Sequence, residues 1–140
     1  MKSELDDLLC QRYSDLFRDR HGDPVDTSMC WGFCCGDGWF GILDQLCAEI
    51  TNQVRQQRMP PVVVSQVKEK FGTLRFHIVG GRLRGGNAET HRLIAAACQQ
   101  ALTTCEQCGA PGEMVGAGVE TVLCPTCAKQ RFAPDVNSHF

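Results

Sequence analysis

The stretch CEQCGAPGEMVGAGVETVLCPTC, residues 105–127, constrains this chain most, because it sets two Cys-x-x-Cys pairs fifteen residues apart. A two-residue gap lets both thiolates of a pair reach one ion at about 2.3 Å, while backbone N–H groups of the turn donate to the sulfurs. Gly109 follows the first pair, where such a knuckle needs a left-handed residue. The segment between the pairs has the length of a β-hairpin that brings them together, with residues 119–123 as one strand. Four thiolates close a tetrahedral site and leave no position for water or substrate. Cys105, Cys108, Cys124 and Cys127 are therefore predicted to hold one structural Zn2+. A zinc ribbon is a fold element: in different proteins it grips nucleic acid, grips protein or closes a terminus.

The other totals fit a globular chain. At 140 residues and 43% hydrophobic content it can bury a real core as one domain with a small appendage. No apolar run approaches the roughly 18 residues a membrane helix requires. MKSELDDLLC at the start is acidic and amphipathic, without the basic and apolar regions of a signal peptide. A cytoplasmic location is expected, where the ten cysteines stay reduced and paired ones read as metal ligands before disulfides.

Periodicity supplies the elements. Leu5, Leu8, Leu9, Tyr13, Leu16 and Phe17 fall at helical spacing, predicting a first helix capped by Ser3 with Asp6 and running to about Arg20, where HGDP stops it. An irregular stretch rich in glycine and cysteine follows. Asp37 is expected to cap a second helix with Phe40, Leu43, Leu46, Ile50 and Val54 on its apolar face, ending before Pro60. VVVSQVKEK and TLRFHIV then read as a hairpin turning near residues 71–73, with Val67, Glu69 and Phe71 on one side of its first strand. A glycine-rich loop at 80–87 leads to a third helix capped by Asn87, with Leu93, Ile94, Ala97, Cys98, Ala101 and Leu102 on its apolar face. The expected fold is α+β: amphipathic helices packed on a small antiparallel hairpin or sheet, with a C-terminal four-cysteine zinc-ribbon module. Its boundaries are a core at 1–104, the module at 105–128 and a tail at 129–140.

Charge is uneven. Residues 1–60 carry six basic and ten acidic groups, residues 61–104 six and two, and residues 105–140 two and four. Any basic face must come from the middle third. Lys68, Lys70, Arg75 and His77 fall on one side of the hairpin, extended by Arg82 and Arg84 in the loop. This strip is an ordinary solvated sheet face or a site for phosphates or an acidic partner surface. Cys30, Cys34 and Cys35 with His21 are the only sensible ligands for a second metal, at a spacing that matches no common pattern; the bland alternative is thiols filling gaps around Trp31, Phe33 and Trp39. A hydrolase using Cys34 or Cys35 with His21 or His77 is a further alternative. No phosphate-binding glycine motif is present, and no small-molecule substrate is evident.

Taken in order, GFCCGDGWFGILDQLC, VSQVKEKFGTLRF and TCEQCGAPG resemble a family of small uncharacterised proteins encoded by tailed bacteriophages and prophages of Gram-negative bacteria. The resemblance spans roughly residues 13 to 128. It implies the cytoplasm of a bacterial host and a phage accessory role, such as inhibition of a host defence nucleoprotein complex in the manner of anti-CRISPR proteins. The function expected is binding of a macromolecular partner, with Lys68, Lys70, Arg75, Arg82, Arg84, Asp37 and Trp39 as candidate contacts. Direct nucleic-acid binding through the basic hairpin and an enzyme centred on the CCGDGW loop are the alternatives. No membrane partner is expected.

Overall fold

The computed structural model describes residues 1–80, 85–116 and 118–133. The first helix, α1, is Ser3–Arg12, shorter than its periodicity suggested. Leu16 and Phe17 remain buried, but in separate turns rather than in a continuing helix. Leu16 does not stay helical because its carbonyl accepts the Val64 N–H at 2.8 Å, tying this segment to the sheet. Ser3 lies inside the helix; the cap is Lys2 and makes no side-chain bond. Asp6, expected in a capping box, is instead buried and paired with Arg20 at 2.9 Å, and it also accepts the Phe33 N–H at 3.1 Å.

The second helix, α2, is Phe40–Arg55 and buries Ile42, Leu43, Leu46, Cys47 and Ile50. Asp37 does not cap it. A 3-10 turn, Asp37–Trp39, precedes it, and the Asp37 carboxylate accepts the Lys2 N–H at 2.7 Å. The third helix, α3, is Ala88–Ala101, and here the sequence reading holds: Asn87 and Thr90 form a reciprocal capping box.

Three strands form the main sheet in the order β1 (Phe33–Cys34), β2 (Val64–Lys70), β3 (Thr73–Ile78). The hairpin β2–β3 was anticipated. The short β1, which runs parallel to β2 with Phe33 opposite Val67 and Cys34 opposite Lys68, was not. Val64, Val67, Leu74, Phe76 and Ile78 face a core shared with α2, α3, Leu9, Leu16, Phe17 and Trp39. Phe71 departs from the expected alternation. It occupies the hairpin turn with φ +53°, followed by Gly72 at φ +77°, and is 66% exposed. Two positive φ values are what a two-residue hairpin connection demands, and Gly72 meets the demand without strain.

The C-terminal module is a hairpin of β4 (Glu113–Val115) and β5 (Thr121–Leu123) followed by α4, Pro125–Phe132. That helix runs past residue 128 into the segment read as a tail. Among the described residues no helix is long and apolar enough to cross a membrane.

Candidate functional site

The two cysteine knuckles meet as their spacing requires. The four Sγ atoms of Cys105, Cys108, Cys124 and Cys127 all lie within 4.8 Å of one another, and Cys108 Sγ and Cys124 Sγ are 3.7 Å apart. Four sulfurs at about 2.3 Å from a tetrahedral ion would stand about 3.8 Å from each other, so the donor set fits a metal of zinc's size. Cys105, Cys124 and Cys127 are buried and Cys108 is exposed. Cys124 ends the β5 connection and caps α4, its Sγ accepting the Cys127 N–H at 3.3 Å.

Protonation tells the same story. Burial pushes the Cys105 thiol up, but N–H donors of Cys124, Cys108 and Gln107 prevail and bring it down to about 6. Cys127 is pushed up to about 12, first by its hydrogen bond with Cys124 and then by burial. Thiols this close cannot all ionise by themselves; a cation makes four thiolates compatible. The set is closed, with four protein donors and no open position.

The CCGDGW loop, a candidate catalytic or partner-binding region from sequence, has another occupation. It is the seat on which the first knuckle docks. The Gly38 N–H donates to Glu106 O at 2.7 Å, the Gly36 N–H donates to Glu106 Oε1 at 3.0 Å, and the Trp39 indole N–H donates to Thr104 O at 2.9 Å. A Cβ on Gly38 would stand 2.1 Å from Cys105 O, and one on Gly36 would stand 2.3 Å from Glu106 O. Both glycines are needed for close approach of two backbones. Trp39, expected as a partner contact, is fully buried and belongs to the core. Asp37 is half-buried and held by Lys2.

Residues proposed for a second metal are not gathered into a ligand set; among the described residues Cys105, Cys108, Cys124 and Cys127 are the group that is. The Cys30 thiol donates to Thr27 O, Cys34 is exposed beside Trp31 O and Gly32 O, and Cys35 is buried. Burial pushes Cys35 up to about 12, which leaves it a thiol rather than a nucleophilic thiolate near neutral pH.

The basic strip does assemble. Lys68 stands opposite Arg75, Gln66 opposite His77 and Lys70 opposite Thr73, which puts Lys68, Lys70, Arg75 and His77 on one sheet face, away from the core. Lys70, Arg75 and His77 are exposed and Lys68 is half-exposed. Across β2 the row continues to Cys34, also exposed. Among the described residues the ion pairs are Lys2–Asp37, Arg12–Asp44, Arg20–Asp6 and Arg92–Glu89, so none engages Lys68, Lys70 or Arg75. Glu69, the acid inside β2, turns back and accepts the Gly72 N–H at 2.7 Å. His77 is held below the ordinary imidazole value, first by partial burial and then by the charges of Lys68 and Arg75. Arg82 and Arg84 lie outside the described residues.

No family model, curated protein or solved structure matches the chain, and its function is read from these two sites.

Proposed function

We propose that this is a protein stabilised by one Zn2+ at Cys105, Cys108, Cys124 and Cys127, which acts by binding a macromolecular partner through its basic sheet face. One observation carries the reading: the four cysteines are spent on structure, docked on the GDGW loop, while Lys68, Lys70 and Arg75 lie on the sheet face turned away from the core and make no ion pair among the described residues. Cations left without partners on a sheet face keep their charge available to an anionic surface. In the setting that the phage-protein resemblance implies, the partner is a host defence nucleoprotein complex in the bacterial cytoplasm, and binding inhibits it.

The test has two parts. Elemental analysis of purified protein is expected to give about one zinc per chain. Affinity capture from the bacterial host, with wild type and a Lys68→Glu/Arg75→Glu variant side by side, is expected to recover a defined complex with the wild type alone. Equal recovery by both proteins would remove the sheet face from the reading, and recovery of nothing specific by either would end it.

A further inference from the structure

We infer that the basic sheet face binds single-stranded nucleic acid, with Lys68, Lys70 and Arg75 on the phosphates and the aromatic rings of Trp31 and Phe71 stacking on bases. This rests on the reading above and names its ligand class.

Three observations lead there. The first is charge: on a chain whose net charge is −2, three cations that make no ion pair among the described residues share one face, so the positive character is local. Residues two apart on a strand are spaced by about 6.8 Å. Lys68 and Lys70 therefore form a row along β2 beside Arg75 and His77 on β3, a geometry that follows an extended polyanion.

The second observation is the exposure of two aromatic rings, one in the turn before β1 and one at the hairpin tip. Trp31 is 68% exposed and sits two residues before β1, the strand that carries Cys34 opposite Lys68. Phe71 is 66% exposed at the hairpin tip, with the Lys70 ammonium 5.6 Å from its ring centroid. An exposed ring beside a cation offers unpaired bases, whose faces a duplex hides, a surface to stack on.

The third observation is strain. Phe71 is a non-glycine residue held at φ +53° at the first position of the turn, where Asn, Asp or Gly would sit without penalty. It is neither buried nor required by the turn. A costly conformation that displays a ring to solvent is accounted for by what the ring contacts there.

The experiment is fluorescence anisotropy of the intact zinc-bound protein with labelled oligo-dT and oligo-U of about twelve nucleotides, and with a duplex of equal length. Single strands are expected to bind at least about tenfold more tightly than duplex, with a log–log salt slope near −2 from three phosphate contacts at about −0.7 each. Lys68→Glu/Arg75→Glu is expected to abolish binding. Trp31→Ala and Phe71→Asn should each weaken it at least about fivefold. Phe71→Asn is the sharper variant, since an Asn-Gly turn should leave the denaturation midpoint unchanged or raised while binding falls. Duplex binding as tight as single-strand binding, or full affinity in both aromatic variants, would overturn the inference. So would failure of either oligonucleotide to bind while a nuclease-resistant protein complex is captured through the same face, an outcome that leaves the proposed function standing. Failure of both assays would remove the two together.

Discussion

Gly38→Ala is the substitution that most directly probes how the metal module is joined to the core. A methyl group there would lie 2.1 Å from Cys105 O, 2.6 Å from Gly109 N and 2.7 Å from Glu106 C, all of them backbone atoms of the first knuckle. None is the end of a flexible side chain, so relief requires the knuckle to move away. Overpacking of this kind costs about 1–3 kcal/mol. The displacement also breaks the 2.7 Å bond from the Gly38 N–H to Glu106 O, a net loss of about 1 kcal/mol. The expected destabilisation is about 2–4 kcal/mol, a large share of the ~5–15 kcal/mol that holds a domain of this size. Gly41→Ala supplies the control. Gly41 lies in the first turn of α2, and a Cβ there meets nothing within 4 Å, so alanine should stabilise the protein by about 0.5–1 kcal/mol through helix propensity. Urea unfolding of the zinc-loaded variants measures both. Competition with a chromophoric chelator should also show weaker zinc retention in Gly38→Ala, because the knuckle loses its seat. Equal stabilities for the two glycine variants would refute the docking argument.

Other perturbations have equally definite outcomes. Cys108→Ser should lower both zinc content and thermal midpoint, and chelation of the wild type should do the same reversibly; a metal-free protein of unchanged stability would contradict the assignment. Asp6→Ala takes the carboxylate away from the Arg20 guanidinium and the Phe33 N–H, and should cost about 3–5 kcal/mol in urea unfolding, whereas removing the solvent-screened Arg92–Glu89 pair should leave the midpoint nearly unchanged. Burial pushes the Cys47 thiol well above its ordinary value, so the folded state keeps a proton that the unfolded chain releases above about pH 8.5. Stability should therefore fall as pH rises past that point, at about 1.4 kcal/mol per unit from this group, and Cys47→Ala should flatten the slope even though it lowers the plateau. Alkylation of native protein followed by mass spectrometry should label exposed Cys34 first, with Cys35 and Cys47 labelled only on unfolding.

What could be read from sequence was local. The doubled Cys-x-x-Cys spacing, the Asn87 cap and the alternation of Leu74, Phe76 and Ile78 are each decided within a few residues, and the structure places all of them as read. The basic face belongs here too, since alternation alone puts Lys68 and Lys70 together and the hairpin turn brings Arg75 across. The misreadings share a different cause. Leu16 and Phe17 carry a helical pattern, yet a distant strand captures the Leu16 carbonyl. Asp6 and Asp37 have the chemistry of helix caps, but Arg20 and the Lys2 N–H claim their carboxylates. Phe71 fits the apolar phase of its strand, and the two-residue turn overrides that phase. The GDGW stretch was the largest miss, because its partners, Thr104 and Glu106, are 65–70 residues away. One signal was available: two glycines spaced by a single residue, next to an aromatic at the head of a helix, mark a place where another backbone comes close.

That docking geometry also determines what a metal held by the four cysteines would do for the sheet. The module touches the sheet layer at two separated points. Glu106 reaches Gly36, two residues beyond β1, and Met114 of β4 lies over Gly72 in the hairpin turn, so close that a Cβ on that glycine would meet Met114 Sδ at 2.2 Å. One contact fixes the edge that carries Cys34, and the other fixes the tip that carries Phe71. With a metal bound, the four thiolates would tie the knuckle to the β4–β5 hairpin and so support both contacts. Without an ion, Cys127, pushed up to about 12 by its hydrogen bond with Cys124 and by burial, keeps its proton, and the module lacks the charge pattern of four thiolates around one cation. The edge and the tip would then loosen together while the helical core, built around Trp39, Leu43 and Ile50, keeps its packing. Zinc removal should accordingly speed amide exchange at Phe71–Thr73 and at Cys34–Gly36 well before it affects the middle of α2. Exchange that rose uniformly across the chain would mean that the ion supports the whole fold instead of these two attachments.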